Sequence, residues 1–309
     1  MGEAVISVSG LRKSYDDLEA VRGIDLEVER GEVFAFLGPN GAGKTTTVEI
    51  LEGYRERSGG EVRVLGEDPA EADREWHERV GIVLQQCSMP PELTVRETIE
   101  LYAGYYRAPR SVEETIALVG LESKSEARTG SLSGGQQRRL DVALALVGDP
   151  ELLFLDEPTT GFDPTARRQA WDVIGGLKDL DKTVFLTTHY MEEAQVLAER
   201  VAIIARGQIV ASGAPSEIGG RDRAATRIEF RLPESTSVGD LPVEVAIGNG
   251  GLASVNTENP TRTLNELTGW ALERGSALDG LEVRQPSLED VYLALTDAAA
   301  SDEHEEGSS

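Results

Sequence analysis

Short apolar runs with glycines at their borders occupy the N-terminal part of the chain. Residues 4–8, 20–29 and 31–37 are rich in Val, Ile, Leu and Phe. This pattern is typical of antiparallel β-strands joined by hairpins. A short strand pair is predicted around residues 61–65, and the apolar run 79–85 predicts one further strand. The N-terminal part is therefore predicted to be β-rich.

The pattern becomes helical between residues 87 and 145. Thr94-x-x-Glu97 is a capping box that opens a helix reaching about residue 107, and a second helix is predicted at 111–119. Ser133 caps a third helix, whose apolar residues recur at the spacing of a buried face. These residues are Leu140, Ala143, Leu144 and Val147. We therefore predict a helical insertion over about residues 87–145.

Strands and helices alternate after this insertion. Residues 152–155 are continuously apolar, which is the mark of a parallel strand covered on both faces. Asp163-Pro164 is an N-cap with a first-turn proline, and it starts a helix to about residue 180. Such alternation predicts a parallel sheet, with a ligand bound at the carboxyl ends of its strands. The later elements are strands at 183–188, 201–205 and 208–211 and a helix at 190–198.

The pattern changes again near Gly219, because in the predicted strands that follow it apolar and polar residues alternate as in half-exposed strands. We interpret residues 4–218 as one domain and residues 222–297 as a small α+β domain. Residues 298–309 are mostly alanine, acid, glycine and serine, so we expect a disordered acidic tail. The smaller domain is predicted to contain strands at 226–232, 243–247 and 281–284 and helices at 263–274 and 287–296.

Composition narrows the class of protein. A chain of 309 residues can hold two domains, or one large α/β domain with an appendage. The formal net charge of −25 argues against nucleic acid or an anionic membrane surface as the main partner. A single cysteine, Cys87, excludes an intramolecular disulfide and fits a reducing cytosol. We see no signal peptide in residues 1–9, and no apolar run approaches the ~20 residues of a membrane span.

The strongest motif follows the apolar strand at 33–37. The sequence there is G-x-x-x-x-G-K-T, and a helix at 44–51 follows it. Its glycines let successive amides point at an anion, Lys44 offers a charge to the β- and γ-phosphates, and Thr45 offers a hydroxyl to Mg²⁺. A glycine-rich turn with a chance lysine is the alternative, which the strand–loop–helix order disfavours. The candidate nucleotide-binding residues are Gly38, Pro39, Asn40, Gly41, Ala42, Gly43, Lys44, Thr45 and Thr46.

Two acidic residues directly follow the buried strand at 152–155. In a phosphate-loop fold these residues, Asp156 and Glu157, lie beside the loop. Asp156 would then order the Mg²⁺ shell, and Glu157 would polarise an attacking water. The alternative is a pair of acids that merely end a strand.

Taken in order, the motifs resemble those of the ATP-binding subunit of an ABC transporter. The first phosphate motif is followed by the signature Leu-Ser-Gly-Gly-Gln, the second acidic motif, a Thr-Gly-Phe-Asp loop and a switch histidine. The resemblance covers about residues 4–217. It implies an α/β fold: a P-loop ABC ATPase domain with a mixed core sheet, an antiparallel β subdomain and the helical insertion, plus the small C-terminal α+β domain.

The resemblance also implies how the site works. Two copies would pair head to tail, with each signature closing its partner's site, and ATP and Mg²⁺ would be the ligands. In isolation each of these residues also has a structural interpretation: an ordinary N-cap for the signature, a polar strand end for the glutamine, and packing for the histidine and tyrosine. The implied roles are adenine stacking by Tyr15, contacts to Mg²⁺ and the water by Gln85 (or its neighbour Gln86), phosphate contact by His189, dimer-loop contact by Asp163, and closure in trans by Leu132, Ser133, Gly134, Gly135 and Gln136.

The C-terminal segment 285–296 resembles the ending of exporter ATPases of the daunorubicin-resistance type. This resemblance implies ATP-driven export of a drug-like or lipid-like substrate through a separate multi-span membrane permease, which would dock on residues 87–110. The chain is then expected to be cytoplasmic, peripheral on the inner face of the cell membrane and homodimeric, without nucleic acid. The alternative is a soluble ABC ATPase without transport, acting in DNA repair or translation.

Overall fold

The computed structural model describes residues 3–83, 89–220, 225–233, 236–248, 251–284 and 287–293. The chain forms two compact units, one ending at Pro215 and the other beginning at Ser216. Gln85, Gln86, Cys87 and the predicted tail at 298–309 lie outside the described residues.

The first unit combines two sheets with helices. In chain order its elements are β1 (Ala4–Tyr15), β2 (Leu18–Glu29), β3 (Val33–Leu37), α1 (Lys44–Leu51), β4 (Gly59–Val64), α2 (Arg74–Glu78), β5 (Val80–Val83), α3 (Val95–Ala103), α4 (Val112–Leu118), α5 (Gly134–Leu146), β6 (Leu152–Asp156), α6 (Pro164–Lys178), β7 (Thr183–Thr188), α7 (Met191–Leu197), β8 (Arg200–Ala205) and β9 (Gln208–Gly213). Among the described residues, no helix has the length and apolar character needed to cross a bilayer.

The smaller sheet of this unit is antiparallel, in the order β2-β1-β4. The prediction of hairpin-connected antiparallel strands is confirmed for β1 and β2. It was wrong for β3, which lies in the larger sheet and pairs in parallel with β7 and β8. The predicted end of the first strand at residue 8 was also wrong. Gly10 has a positive φ of 57°, and the register of β1 shifts between Val8 and Leu11. Such a glycine permits a bulge inside a strand, so β1 continues to Tyr15 rather than ending.

The larger sheet has the order β5-β6-β7-β3-β8-β9, and all its neighbouring pairs are parallel except β8–β9. Phe34 and Phe154 lie on either side of Phe185, at ring centroid distances of 5.5 and 5.6 Å. This buried layer explains why the central strands are continuously apolar. Because β3, β6 and β7 are neighbours, the loops at their carboxyl ends meet at one edge of the sheet.

The helical insertion contains α3, α4 and α5. Thr94 and Glu97 form the predicted capping box at the start of α3, and Ser133 with Gln136 forms another at α5. Helix α3 ends at Ala103 with Gly104 as its C-cap, so the predicted end near residue 107 was too late. Glycine is a poor helix former, and it favours the end of the helix at this position.

The second unit contains a sheet in the order β11-β12-β10-β13 and one long helix. Its core includes Ile228, Phe230, Ala253 and Leu267. A strand at 252–257 was missed, since its serine, asparagine and threonine weaken the apolar alternation, and only two residues of the predicted strand 243–247 are β. The elements are β10 (Thr226–Arg231), β11 (Ala246–Ile247), β12 (Leu252–Thr257), α8 (Pro260–Glu273) and β13 (Glu282–Arg284), and residues 288–293 are helical.

Two glycine substitutions test the packing of the first unit. A Cβ on Gly81 would lie 2.7 Å from the carbonyl oxygen of Ala145, whereas a Cβ on Gly175 in helix α6 would meet no atom within 4 Å. We expect Gly81→Ala to destabilise the fold by about 1–3 kcal/mol through overpacking. Gly175→Ala should stabilise it by about 0.5–1 kcal/mol, because alanine loses less backbone entropy. Urea unfolding of both variants measures this, and equal effects of the two would contradict the packing described.

Candidate nucleotide-binding and hydrolysis site

The phosphate loop joins strand β3 to helix α1. Gly41 and Gly43 have φ values of 80° and 103°, which L side chains rarely adopt. A Cβ on Gly43 would lie 2.6 Å from the carbonyl oxygen of Ala20, and one on Gly38 would lie 2.4 Å from that of Ile204. Among the described residues, no side chain forms a capping hydrogen bond at the start of α1. A helix start of this kind is suited to an anion.

The loop borders a cleft of about 530 Å³, a volume usual for small-molecule sites. Gly38 and Ala42 are not part of its lining, although the neighbouring loop residues are. Leu18 and Ala20, at the start of β2, border the cleft and were not predicted. The predicted residues that line it are Tyr15, Pro39, Asn40, Gly41, Gly43, Lys44, Thr45, Thr46, Asp156 and Glu157.

Lys44 is the cation of the cleft, and it is only 7% exposed. Its Nζ donates hydrogen bonds to the carbonyl oxygens of Gly38 at 2.6 Å and Pro39 at 3.1 Å. Burial lowers the pKa of Lys44, while the carboxylates of Glu157 and Asp156 act in the opposite direction. The amine is thus held in place by neutral carbonyl groups at the lining of the cleft.

The two acidic residues meet strand β7 at its carboxyl end. Asp156 Oδ1 accepts a hydrogen bond from Thr187 Oγ1 at 2.5 Å. The amide of Glu157 donates to the carbonyl oxygen and to the hydroxyl of Thr187, both at 3.1 Å. Glu157 has a φ of 44°, which is uncommon for a residue other than glycine. These bonds hold the strained turn between β6 and the following loop.

The Glu157 carboxylate is held between two further groups. Its Oε2 accepts a hydrogen bond from Thr160 Oγ1 at 3.0 Å, and its Oε1 lies 3.3 Å from His189 Nδ1. The side chain of Glu157 is 15% exposed and that of His189 is 41% exposed. The structure therefore brings together two of the predicted catalytic residues, Glu157 and His189, a contact that the sequence did not predict. The third residue predicted there, Gln85, lies outside the described residues.

The signature residues 132–136 do not line this cleft in the same chain. Ser133 is the N-cap of α5, and its side chain accepts a hydrogen bond from the Gln136 amide at 3.4 Å. Leu132 is 8% exposed, and no atom lies within 4 Å of a Cβ built on Gly134. Asp163 caps α6 by accepting bonds from the amides of residues 165 and 166, also away from the cleft lining.

Arg138 is a site residue that sequence reasoning missed. It is 7% exposed on helix α5, and it donates to the carbonyl oxygens of Asp156 at 2.7 Å and Pro158 at 3.2 Å. These bonds fasten the signature helix to the acidic turn. Arg138 and Val142 are both buried on this helix, but they lie outside its predicted apolar face, so the sequence pattern gave no signal for Arg138.

The residues at the cleft fit a magnesium ion bound with a phosphate ligand. Thr45 and Asp156 line the same cleft and offer a hydroxyl and a carboxylate oxygen. Mg²⁺ prefers oxygen ligands and is usually held by one or two carboxylates together with substrate phosphates. Among the described residues no group of three or more His, Cys, Asp or Glu side chains could hold a metal by itself. A shared site of protein and phosphate oxygens is therefore the arrangement that fits.

Glu52, at the end of α1, makes stability depend on pH. It is 3% exposed, and burial, with smaller contributions from Asp156 and Glu49, raises its pKa to about 8. A carboxyl group with a raised pKa binds its proton more tightly in the folded chain. The contribution of Glu52 to folding stability is therefore fully present below its pKa in the unfolded chain, near 4.5. This contribution is lost as the pH rises toward the pKa of about 8 in the folded chain.

We expect Glu52→Gln to gain stability relative to the unsubstituted chain as the pH rises. Glutamine carries no charge to desolvate, so the difference in unfolding free energy should grow by a few kcal/mol between acid and mildly alkaline solution. Denaturant titrations of both chains at about pH 5 and pH 8.5 bracket this window. A difference that stays constant across the window would contradict the buried titration of Glu52.

Sequence comparison gives matches over both units. The ABC transporter family matches residues 21–160, and the C-terminal domain of ABC transporter domain-containing proteins matches residues 226–287. A Nod factor export ATP-binding protein I of Burkholderia pseudomallei (strain 1710b) is 38% identical, covering 96% of this chain and 98% of that protein. The daunorubicin resistance ATP-binding protein DrrA3 of Streptomyces coeruleorubidus is 35% identical, covering 96% of this chain and 97% of that protein.

Solved structures agree with this relationship. A dimeric ATP-binding cassette in a post-hydrolysis state, bound to ADP and Pi, has a TM-score of 0.60 and 26% identity, covering 68% of this chain and 98% of that chain. The predicted fold class and the predicted resemblance are confirmed. With a phosphate loop, a buried lysine and an acidic pair around one cleft, the chain belongs to the ATP-binding proteins of the ABC transporter family and is an ATPase.

Proposed function

We propose that this ATPase powers the export of a drug-like or lipid-like substrate through a separate membrane permease. The observation that carries the proposal is similarity along 96% of the chain to proteins named for Nod factor export and daunorubicin resistance. The similarity includes the smaller unit, which a family of C-terminal ABC domains matches. On this proposal residues 4–218 are the ATPase domain and residues 222–297 an accessory domain.

The working form would be a head-to-tail homodimer. The cleft holds the phosphate loop and the acidic pair, but the signature residues 132–136 are not part of its lining. A second copy of the chain would bring its signature helix start, with the open backbone at Gly134, to the γ-phosphate. The dimeric form of the related solved cassette supports this arrangement. Asp163, at the start of α6, would lie at the contact between the copies.

Hydrolysis on this proposal is positioning and charge stabilisation at one cleft. Lys44 and the loop amides would bind the β- and γ-phosphates, and Tyr15 would stack on adenine. Thr45 and Asp156 would hold Mg²⁺, which supplies charge neutralisation of the phosphates when bound. Glu157, fixed by Thr160 and facing His189, would accept the proton of the attacking water.

The helical insertion offers a surface for the permease. Leu101 on α3 is 47% exposed and Tyr105 is 62% exposed, and the ring of Tyr105 lies edge-on to Tyr102 at 6.0 Å. Exposed apolar groups gathered in this way are typical of protein interaction sites. They lie within residues 87–110, the segment predicted to dock on the cytoplasmic side of the permease. The chain would thereby be held at the inner face of the membrane.

Co-purification from detergent-solubilised membranes tests the proposal. The tagged chain should retain a multi-span membrane protein, and the double variant Leu101→Glu, Tyr105→Glu should lose it. Leu272→Glu, at a leucine that is 81% exposed in the smaller unit, is the matched control and should keep the partner. Inside-out vesicles carrying the complex should accumulate daunorubicin only with ATP. Recovery of ribosomes or DNA in place of a membrane protein would support the alternative ABC ATPase without transport.

A further inference from the structure

Glu193 is a fully buried acid beside the hydrolysis site. It lies in the first turn of helix α7, and its exposed fraction is 0%. Glutamate is almost never completely buried unless it is paired, because removing its charge from water is costly. Burial raises the pKa of Glu193, while hydrogen bonding by Thr188, Thr159 and Trp171 acts in the opposite direction. The contacts of the Glu193 carboxylate should therefore indicate what it does.

Its carboxylate joins the loop after the acidic pair to the helix that follows. Oε1 accepts a hydrogen bond from Thr159 Oγ1 at 2.9 Å and another from Trp171 Nε1 at 3.1 Å. Thr159 is itself 0% exposed, and Trp171 is buried on α6. One oxygen on α7 therefore fixes both the loop and helix α6. Trp171 has no role that the sequence motifs explain, and this contact gives it one.

The fixed loop is the segment that carries Glu157 at one end and Asp163 at the other. Within it Thr160 donates its hydroxyl to Glu157, and the Phe162 amide donates to the Thr159 carbonyl oxygen at 3.2 Å. Glu157 starts the loop with a strained φ of 44°, and such strain persists only where the surroundings hold it. The site residue His189 directly precedes Tyr190, the N-cap of α7, so this helix begins beside the site.

We propose that Glu193 is a positioning residue for ATP hydrolysis, which holds the loop 157–163 through Thr159 and Trp171 and so keeps Glu157 aimed at the attacking water. This inference rests on the proposed role of Glu157 as the base. The carboxylate acts as a hydrogen-bond acceptor at the junction of α6, α7 and the loop. Glu193 is not part of the cleft lining, so its loss should affect turnover rather than ATP binding.

The first test removes the hydrogen-bond acceptor of Glu193 and keeps a side chain of similar volume. Glu193→Met should lower kcat for ATP by about 10- to 100-fold, since small misplacements of a catalytic group cost this much. The affinity for a fluorescent ATP analogue should be retained, while the melting temperature should fall by roughly several degrees because two buried donors lose their acceptor. Glu193→Gln, which keeps an accepting oxygen, should recover most of the turnover. Glu192→Met, at an exposed position one residue earlier, is the matched control and should behave as the unsubstituted chain.

The second test needs no change at Glu193, so it decides the matter even if Glu193→Met fails to fold. Thr159→Val removes only the hydroxyl donor and should lower kcat about tenfold, in line with a lost buried hydrogen bond. Thr159→Ser retains the donor and should keep kcat. Unchanged kcat in Thr159→Val would overturn the proposal. A parallel loss of ATP affinity, melting temperature and kcat in Thr159→Val and Thr159→Ser alike would also overturn it, in favour of a purely structural role.

The third test separates this inference from the proposed role of Glu157. In a Glu157→Gln background the substitution Glu193→Met should cause no further loss, because residues that act as a unit are not additive. If Glu157→Gln alone retains turnover, the base assignment fails. If Glu157→Gln is inactive but Glu193→Met and Thr159→Val both turn over normally, only the positioning role of Glu193 fails.

Discussion

Replacing Glu157 by glutamine is expected to abolish steady-state ATP hydrolysis while ATP binding persists. The carboxylate is held by Thr160 at 3.0 Å and lies 3.3 Å from His189, so an amide fits the same place but cannot accept a proton. Loss of a general base typically costs 10²–10⁴-fold in rate. Phosphate release under saturating Mg-ATP measures the loss, and equilibrium titration with labelled ATP measures binding.

The same variant should also accumulate as a dimer. If two copies enclose the nucleotide and cannot hydrolyse it, the closed form persists, and light scattering in Mg-ATP should report twice the mass found without nucleotide. A chain that stays monomeric would contradict the head-to-tail arrangement. Comparable turnover in the variant would remove Glu157 from the role of base.

Glu151→Gln provides the matched control for this experiment. Glu151 precedes the opposite end of strand β6 and pairs with Arg79 at 2.6 Å and Arg30 at 2.7 Å. Its substitution removes the same charge near the same strand but far from the carboxyl-end cleft. Turnover should be retained, with only a modest loss of stability as expected for partly exposed ion pairs.

Replacing Lys44 by alanine is expected to weaken nucleotide binding itself. The Lys44 amine is 7% exposed and is oriented by the carbonyl oxygens of Gly38 and Pro39 beside the loop amides. A hydrogen bond to a charged group contributes about 1.5–3 kcal/mol, so the dissociation constant for ATP should rise roughly 10- to 150-fold. Titration with a fluorescent ATP analogue measures it directly, without relying on turnover.

Lys178→Ala is the control for the lysine substitution. Lys178 lies in the last turn of α6 and forms a half-exposed ion pair with Glu199. Pairs of this kind contribute little, so ATP affinity should be unchanged and stability only slightly reduced. If Lys44→Ala binds ATP as tightly as Lys178→Ala, Lys44 does not hold the phosphates.

Local signals predicted most of the first unit well. The capping box at Thr94, the N-cap at Ser133 and the proline after Asp163 placed the starts of α3, α5 and α6, because these interactions involve neighbours in the chain. The continuous apolar run before Asp156 identified a buried parallel strand. The strand β12 was missed because its pairing with β10, and not its own pattern, makes it β.

The chain's sequence by itself determined the family, the phosphate loop, the acidic pair and the order of strands and helices, since each depends on residues close together in the chain. Only the tertiary structure decided which distant polar groups meet: Glu157 with His189, Arg138 with the carbonyl oxygens of the acidic turn, and Glu193 with Thr159 and Trp171. Buried polar groups need hydrogen-bond partners. These partners lie tens of residues apart in the chain and meet through tertiary packing, so no local sequence pattern predicts them.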